Sequence, residues 1–249
     1  MAPNRSEETV ARRPKQPTRA DQPAPTGLRH VLGLVRSVVP PINPAGRPFV
    51  LVPAAIAFVG RRSPALRRTS TAAAVACAVF FREPGRVPPQ RPGIVLAPAD
   101  GTIALQDMAV PPAELGLGRA PVPRVSIFLS VLDVHVQRSP VTGTVRRVVH
   151  TPGRFLSADL PAASTDNERT CVLLRTEDGH DVGVVQIAGL IARRIVCHLA
   201  EGGRTERGAT YGLIRFGSRV DTYLPVGSRV LVDVGQRMVG AETVLAELP

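Results

Sequence analysis

The chain has 249 residues, 4% of them aromatic and none tryptophan, with 25 prolines and 22 glycines; this fits one good-sized domain plus a tail, or two small ones, built from short strands and turns rather than as a helix bundle. The net charge of +11 is almost all arginine, Lys15 being the single lysine; it suits an anionic membrane surface, a phosphorylated substrate or nucleic acid, and the lack of a helix-turn-helix, zinc-finger or aromatic-interleaved RNA motif argues against the last. Cys77, Cys171 and Cys197 are odd in number and show no C-x-x-C spacing, which argues against a disulfide framework or a structural zinc site and for a reducing, cytosolic setting.

Residues 1–27 are polar, charged and proline-rich, and are expected to be a disordered tail; their polar start predicts no signal peptide. Residues 28–48 end in the proline-broken connector PPINPAGRP. Two apolar runs follow, Phe49–Val59 and Thr71–Phe81, on either side of a basic hinge at Arg61–Arg68. Each is shorter than the roughly 18–20 apolar residues of a simple membrane span. A buried helical hairpin, a two-pass span and a hairpin seated at the membrane interface are all open. The third is preferred, because it would set the hinge arginines against anionic headgroups. Residues 28–84 are therefore assigned to a membrane-associating helical region.

From about residue 85 to the end the composition changes to short β-like runs separated by turns: residues 93–105, 124–136, 139–150, 170–189, 192–199, 211–225 and 227–248. The expected fold is a β-dominated α+β chain, an antiparallel β-sandwich or barrel-like catalytic domain preceded by an apolar helical hairpin. The segments PADGTI and SPVTGTV share a turn-then-strand shape that hints at two related β-halves.

The chemistry converges on Gly217-Ser218, in the stretch YGLIRFGSRVDTYLP. The pair reads as a tight turn or as a scission point. Phe216 and Val220 do not fit the G-x-S-x-G elbow of a serine hydrolase. The sole lysine lies in the tail, so a pyridoxal phosphate enzyme lacks its Schiff-base lysine, and a biotinyl or lipoyl carrier lacks the residue it modifies. Carbonyl chemistry on an amine would then need a carbonyl made from the backbone. A serine hydroxyl can attack the carbonyl before it, and glycine leaves that carbonyl unhindered.

Such a cut needs a base and donors for the oxyanion. His135, at the end of an apolar strand, is a candidate acid or base, or an ordinary half-buried strand histidine. Asp100, in PADG, is a candidate acidic residue or a turn former. Arg193 and Arg194 interrupt an apolar run. One would face inward and need an anion, either a phosphate or the carboxylate of Glu168, unless the strand is an edge with solvated arginines. No metal-ligating cluster is evident.

FFREPGRVPP, PADGTI, FLSVLDVHVQRSPVTGTV, GRFLSADLPAASTDNER, VVQIAGLIARRIVCHL and GLIRFGSRVDTYLP, in that order across roughly residues 40–235, together resemble the short form of the phosphatidylserine decarboxylase family. The resemblance implies a proenzyme cut between Gly217 and Ser218. Its β chain would end at Gly217. Its α chain, residues 218–249, would begin with a pyruvoyl group derived from Ser218 that takes the substrate amine as a Schiff base, with neither pyridoxal phosphate nor metal. It maps the family's A-D-G acid onto Asp100 and the D-x-H histidine onto His135. Where long-form members carry a second histidine, this chain has Arg138, which leaves the base for self-cleavage open.

The implied activity is a carboxy-lyase reaction of phospholipid biosynthesis, converting phosphatidylserine to phosphatidylethanolamine and CO2. His135 is the candidate acid for reprotonation, and Arg138, Arg193 or Arg194 would hold the phosphodiester. The implied partners are phosphatidylserine, an anionic membrane surface and the sister chain of the same proenzyme, with a homo-oligomer left open. The implied location is the cytoplasmic side of the cell membrane, bound peripherally. A pyruvoyl decarboxylase for another amine head group, or a non-catalytic lipid-surface β-module, are the alternatives.

Overall fold

The computed structural model describes Gly27 and residues 39–158, 160, 163–190, 194–215 and 217–249. The expectations for the 1–27 tail and for residues 28–38 otherwise lie outside these residues. Pro40–Pro249 forms a compact unit.

Two helices open it, α1 (Arg47–Val59) and α2 (Pro64–Phe80). α1 has proline in its first turn, where the missing N–H costs nothing, and stops at Gly60. Ser63 caps α2 by accepting from the Leu66 N–H, and Pro64 follows as its first residue. This Ser-Pro start draws the helix back over Arg67 and Arg68, so the connection is shorter than the basic hinge expected from composition. The helices pack on one another, yet α1 buries no residue and α2 buries only Ser70 and Phe80. Phe58 is 69% exposed and Val59 81%. The hairpin is therefore not a core element, and no helix among the described residues is long and apolar enough to cross a membrane.

Fourteen strands follow among the described residues, every ladder between them antiparallel and the largest sheet curled as a half-barrel. The large sheet has eight strands in the order β13-β2-β3-β11-β7-β6-β5-β9. These are β2 (Gly101–Ala109), β3 (Val122–Leu129), β5 (Gly143–Thr151), β6 (Arg169–Arg175), β7 (Asp181–Ala188), β9 (Arg204–Thr205), β11 (Ser218–Tyr223) and β13 (Arg237–Met238). β4 (Val136–Arg138), β10 (Thr210–Ile214) and β8 (Ile195–Cys197) form one small sheet, with β10 central. β1 (Ile94–Leu96), β14 (Val244–Glu247) and β12 (Arg229–Val230) form the other, with β14 central.

The strand order reads as two halves, β13-β2-β3-β11 and β9-β5-β6-β7, meeting at β11 and β7. β2 and β5 each begin at a glycine, run nine residues and shift register two to four residues in. They are the strands entered by the two similar turn-then-strand segments.

The main core lies on one face of the large sheet. Val125, Ile127, Val172, Val184 and Val220 meet Val95, Leu245 and Ala246 of one small sheet and Tyr211 and Ile214 of the other. A second cluster, with Cys171, Leu173, Val185, Ile187 and Tyr223, covers the opposite face. β11 is thus enclosed on both faces and flanked by paired strands on both edges, and all six of its residues are buried. A third cluster joins Phe80 and Phe81 at the base of the hairpin to Val134, Val136 and Leu213.

Candidate active site

The chain leaves β10 in one small sheet and enters β11 in the middle of the large one. Gly217 makes the crossing at φ +64°, a left-handed conformation that glycine adopts without steric cost. Ser218 is the first residue of β11, opposite Leu129 on β3 and Ala188 on β7. It is fully buried, and its Oγ has no hydrogen-bond partner among the described residues. A buried hydroxyl without a partner costs stability; Ser126, Tyr211 and Thr222 share that state, and what sets Ser218 apart is its place directly after the left-handed Gly217.

His135 lies just before β4 and is fully buried, its ring against Phe80 with centroids 4.2 Å apart. Nδ1 is 2.9 Å from the carbonyl oxygen of Asp133. A carbonyl only accepts, so Nδ1 carries the proton and Nε2 is bare. Nε2 in turn accepts from the Gly217 N–H at 3.3 Å. Burial pushes the imidazole pKa down to about 4, against a smaller upward pull from Asp133. At neutral pH the ring is therefore uncharged, its lone pair directed at the residue whose carbonyl precedes Ser218.

Polar side chains around His135 hold it in place. Gln137 Nε2 donates to the His135 carbonyl at 2.8 Å, and Gln186 Nε2 of β7 donates to Gln137 Oε1 at 3.0 Å. Asp133 accepts from the Ser130 N–H at 2.8 Å and from Arg237 Nη2 at 2.5 Å. Burial raises the Asp133 pKa, but the bonds from Arg237 and Ser130 outweigh it and hold the carboxyl below its ordinary value. Asp133 is thus a fixed anion whose own backbone orients the histidine.

The other expected residues have their hydrogen bonds with other groups. Asp100 pairs with Arg86 at 2.7 Å and accepts from the Gly240 N–H at 2.8 Å. It makes no hydrogen bond to His135, Gly217 or Ser218. Its burial raises its pKa despite Gly240 and Arg86. Arg138 donates to the carbonyls of Gly208 at 3.1 Å and Pro84 at 2.8 Å, tying β4 to two loops. Arg194 is exposed and has no carboxylate partner among the described residues; its carbonyl accepts from the Arg215 N–H at 3.3 Å. Arg193 lies outside the described residues. The Glu168 carboxylate sits 3.8 Å from His150. Arg215 lies over Phe49, 4.8 Å from the ring centroid, so the base of the hairpin adjoins the Gly217 crossing.

Two features went unanticipated. Arg219, only 1% exposed, donates from Nε to Asp221 Oδ1 at 2.8 Å, from Nη1 to the Ala158 carbonyl at 3.2 Å and from Nη2 to Ser164. This pair sits directly after Ser218 and grips the connection that precedes β6. Its sequence signal is R-x-D inside a strand, which puts both charges on one face. The second is Gly189, at the end of β7: a β-carbon there would lie 2.2 Å from the Gly217 carbonyl oxygen. Nothing in the local sequence marks that approach.

Residues 74–246 match the family model of phosphatidylserine decarboxylase. The chain is 62% identical over 240 residues to the phosphatidylserine decarboxylase proenzyme of Rhodococcus erythropolis, covering 96% of this chain and 100% of that one. The proenzyme of the same name from Nocardia farcinica is 61% identical over 239 residues, 96% of this chain and 100% of its own. That from Mycobacterium tuberculosis is 61% identical over 228 residues, 92% and 99%. The partnerless serine at a sheet crossing, the neutral histidine beside it and this end-to-end similarity lead to one assignment: the chain belongs to the phosphatidylserine decarboxylase family.

Proposed function

We propose that the chain is a proenzyme that cuts itself between Gly217 and Ser218, and that the product decarboxylates phosphatidylserine to phosphatidylethanolamine. The observation that carries this is the state of that peptide: a buried Ser218 hydroxyl with no partner among the described residues, after a left-handed glycine whose N–H meets the bare nitrogen of a neutral His135.

The cut follows from the residues present. Ser218 Oγ adds to the Gly217 carbonyl carbon, and the bond from that carbon to the Ser218 nitrogen breaks. An ester forms, and the hydroxyl proton ends on the freed amine, with His135 as carrier. A neutral imidazole can accept that proton; a charged one could not. Loss of the Ser218 α-proton then expels Gly217 as a carboxylate. Water takes up the remaining enamine, releasing ammonia and leaving a pyruvoyl end on the 218–249 chain.

The surroundings of Ser218 suit such a group. They are buried and held by paired strands on both sides, and a site closed to water favours loss of a carboxylate. The pyruvoyl carbonyl would supply the electron sink for decarboxylation. His135 would move the proton at the substrate α-carbon, with Asp133 and Gln137 fixing its ring and backbone. Arg194, which is exposed, and Arg215 would meet a phosphodiester; Arg138 donates to two carbonyls. The exposed apolar hairpin would seat the protein peripherally on the cytoplasmic face of the cell membrane, its arginines on anionic headgroups.

Intact mass and denaturing gels test the reading. The purified chain should appear as two fragments joining at 217–218, with CO2 released from phosphatidylserine vesicles and not from free serine. Ser218→Ala should remain one inactive chain of 26.5 kDa. A wild-type preparation that stays in one piece, or an Ser218→Ala chain that is cut and active, would refute it.

A further inference from the structure

Attack on a peptide carbonyl needs the carbonyl held at a fixed angle to the nucleophile, and the oxygen must stay in place as the carbon becomes tetrahedral. The scissile carbonyl belongs to Gly217, which has no side chain and a permissive backbone. Its own residue therefore does little to fix it. The oxygen lies beside Gly189, the residue after β7, whose bare α-carbon leaves it room. A β-carbon on Gly189 would lie 2.2 Å from the Gly217 oxygen and 3.0 Å from its carbonyl carbon, and 3.4 Å from the Ala158 side chain. The first distance lies well inside contact, and the atoms met are backbone, which cannot swing aside.

The seat is itself held. Asn167, fully buried, donates from Nδ2 to the Ala188 carbonyl at 2.7 Å and to the Leu156 carbonyl at 2.8 Å, while its Oδ1 accepts from the Leu156 N–H at 2.9 Å. The Ala188 N–H donates to the Glu168 carbonyl at 2.9 Å. Ala158, the other neighbour of the seat, is gripped by Arg219 through its carbonyl. The end of β7 is thus fixed immediately before Gly189, and the wall beside it is fixed from the strand that Ser218 begins.

The geometry points to Gly189 as a positioning residue for self-cleavage: its bare α-carbon, on a strand end fixed by Asn167, sets the Gly217 carbonyl for attack by Ser218. This rests on the self-cleaving reading above. It concerns the first step, in which the bond from Ser218 Oγ to the Gly217 carbon forms and the amide bond breaks.

The test is the time course of cleavage of Gly189→Ala, followed on denaturing gels. A displacement on the order of 1 Å at a reacting centre costs about 100-fold in rate, and a slowing of that order is expected. Alkaline hydroxylamine, which cuts esters, should not cut the Gly189→Ala chain at 217–218, because the acyl shift itself fails. Folding is scored separately in the Ser218→Ala background, where Gly189→Ala should leave the circular dichroism spectrum unchanged. Cleavage of Gly189→Ala at the wild-type rate, or hydroxylamine scission showing that the ester forms and stalls, overturns the proposal. If Gly189→Ala gives no folded chain, Asn167→Ala decides. A folded Asn167→Ala chain cut at the wild-type rate overturns the proposal, and slowing by about tenfold or more without a hydroxylamine-sensitive ester supports it. A wild-type chain that is never cut would fail the self-cleaving reading as a whole; a cut wild type with an equally cut Gly189→Ala fails this inference alone.

Discussion

His135 links the stability of the uncleaved chain to pH in a way that can be worked through. Its imidazole is buried and neutral, its pKa pushed by burial to about 4 from an ordinary 6.5. Below 6.5 the unfolded chain takes up a proton that the folded chain refuses, so stability falls with falling pH, by up to about 1.4 kcal/mol per unit. The loss flattens as the folded-state pKa near 4 is passed, at a total of about 3 kcal/mol; above 6.5 the group contributes no pH dependence. Two uncleavable chains isolate the effect, Ser218→Ala alone and with His135→Gln. Urea unfolding at about pH 7.5 and about pH 4.5 should show the histidine-bearing chain losing about 2–3 kcal/mol more than its partner. Carboxylates such as Asp133 titrate in both chains and cancel. If the two chains lose stability in parallel, His135 is not a buried neutral base, and its assignment as proton carrier falls with that result.

Arg219→Met in the Ser218→Ala background should cost about 3–5 kcal/mol by thermal or urea unfolding, because Asp221 is left buried without its main partner; adding Asp221→Leu should recover most of it. Arg138→His restores the histidine of the long-form pattern but removes two carbonyl contacts. It should not speed cleavage, and should destabilise the fold by about 1–3 kcal/mol; faster cleavage on gels would show that the position does reach the scissile peptide. Phe58→Ser with Val59→Asp should weaken flotation with vesicles of anionic phospholipid by about tenfold or more while leaving cleavage at 217–218 unchanged. Equal flotation would remove the hairpin tip from the membrane contact.

What the sequence made legible was chemistry carried by neighbouring residues. Gly217-Ser218 stands out because the two residue types are adjacent, and His135 because it ends an apolar run, although that run breaks after β3 and the histidine stands in the connection just before β4. The strand-rich fold followed from alternation and turn residues, with the first long run resolving into β1 and β2 because Ala97–Asp100 bend away from the ladder. Gly189 and the Arg219–Asp221 pair were not legible in the same way. Their significance depends on β11 lying between β3 and β7, a pairing of segments about thirty and ninety residues apart that no local pattern specifies. Arg138 shows the converse limit. Its place in a motif suggested substrate, whereas its hydrogen bonds go to the carbonyls of Pro84 and Gly208, which only the fold brings near. Asp133, two residues before His135, works through its backbone carbonyl as well as its carboxylate, and a backbone role leaves no trace in residue identity.

The central position of β11 has a consequence for the lifetime of the mature protein. Cutting at 217–218 would leave residues 218–249 as a separate chain whose strands pair with β1, β2, β3 and β7 of the other fragment. Unfolding before the cut is unimolecular and in principle reversible. After it, the fragments must find each other again, so recovery depends on concentration. The small fragment would also lack the serine hydroxyl and the upstream peptide from which its reactive end was made, and damage to that end could not be repaired by refolding. The working life of each molecule is then set by how slowly the sheet opens around β11, a rate rather than an equilibrium.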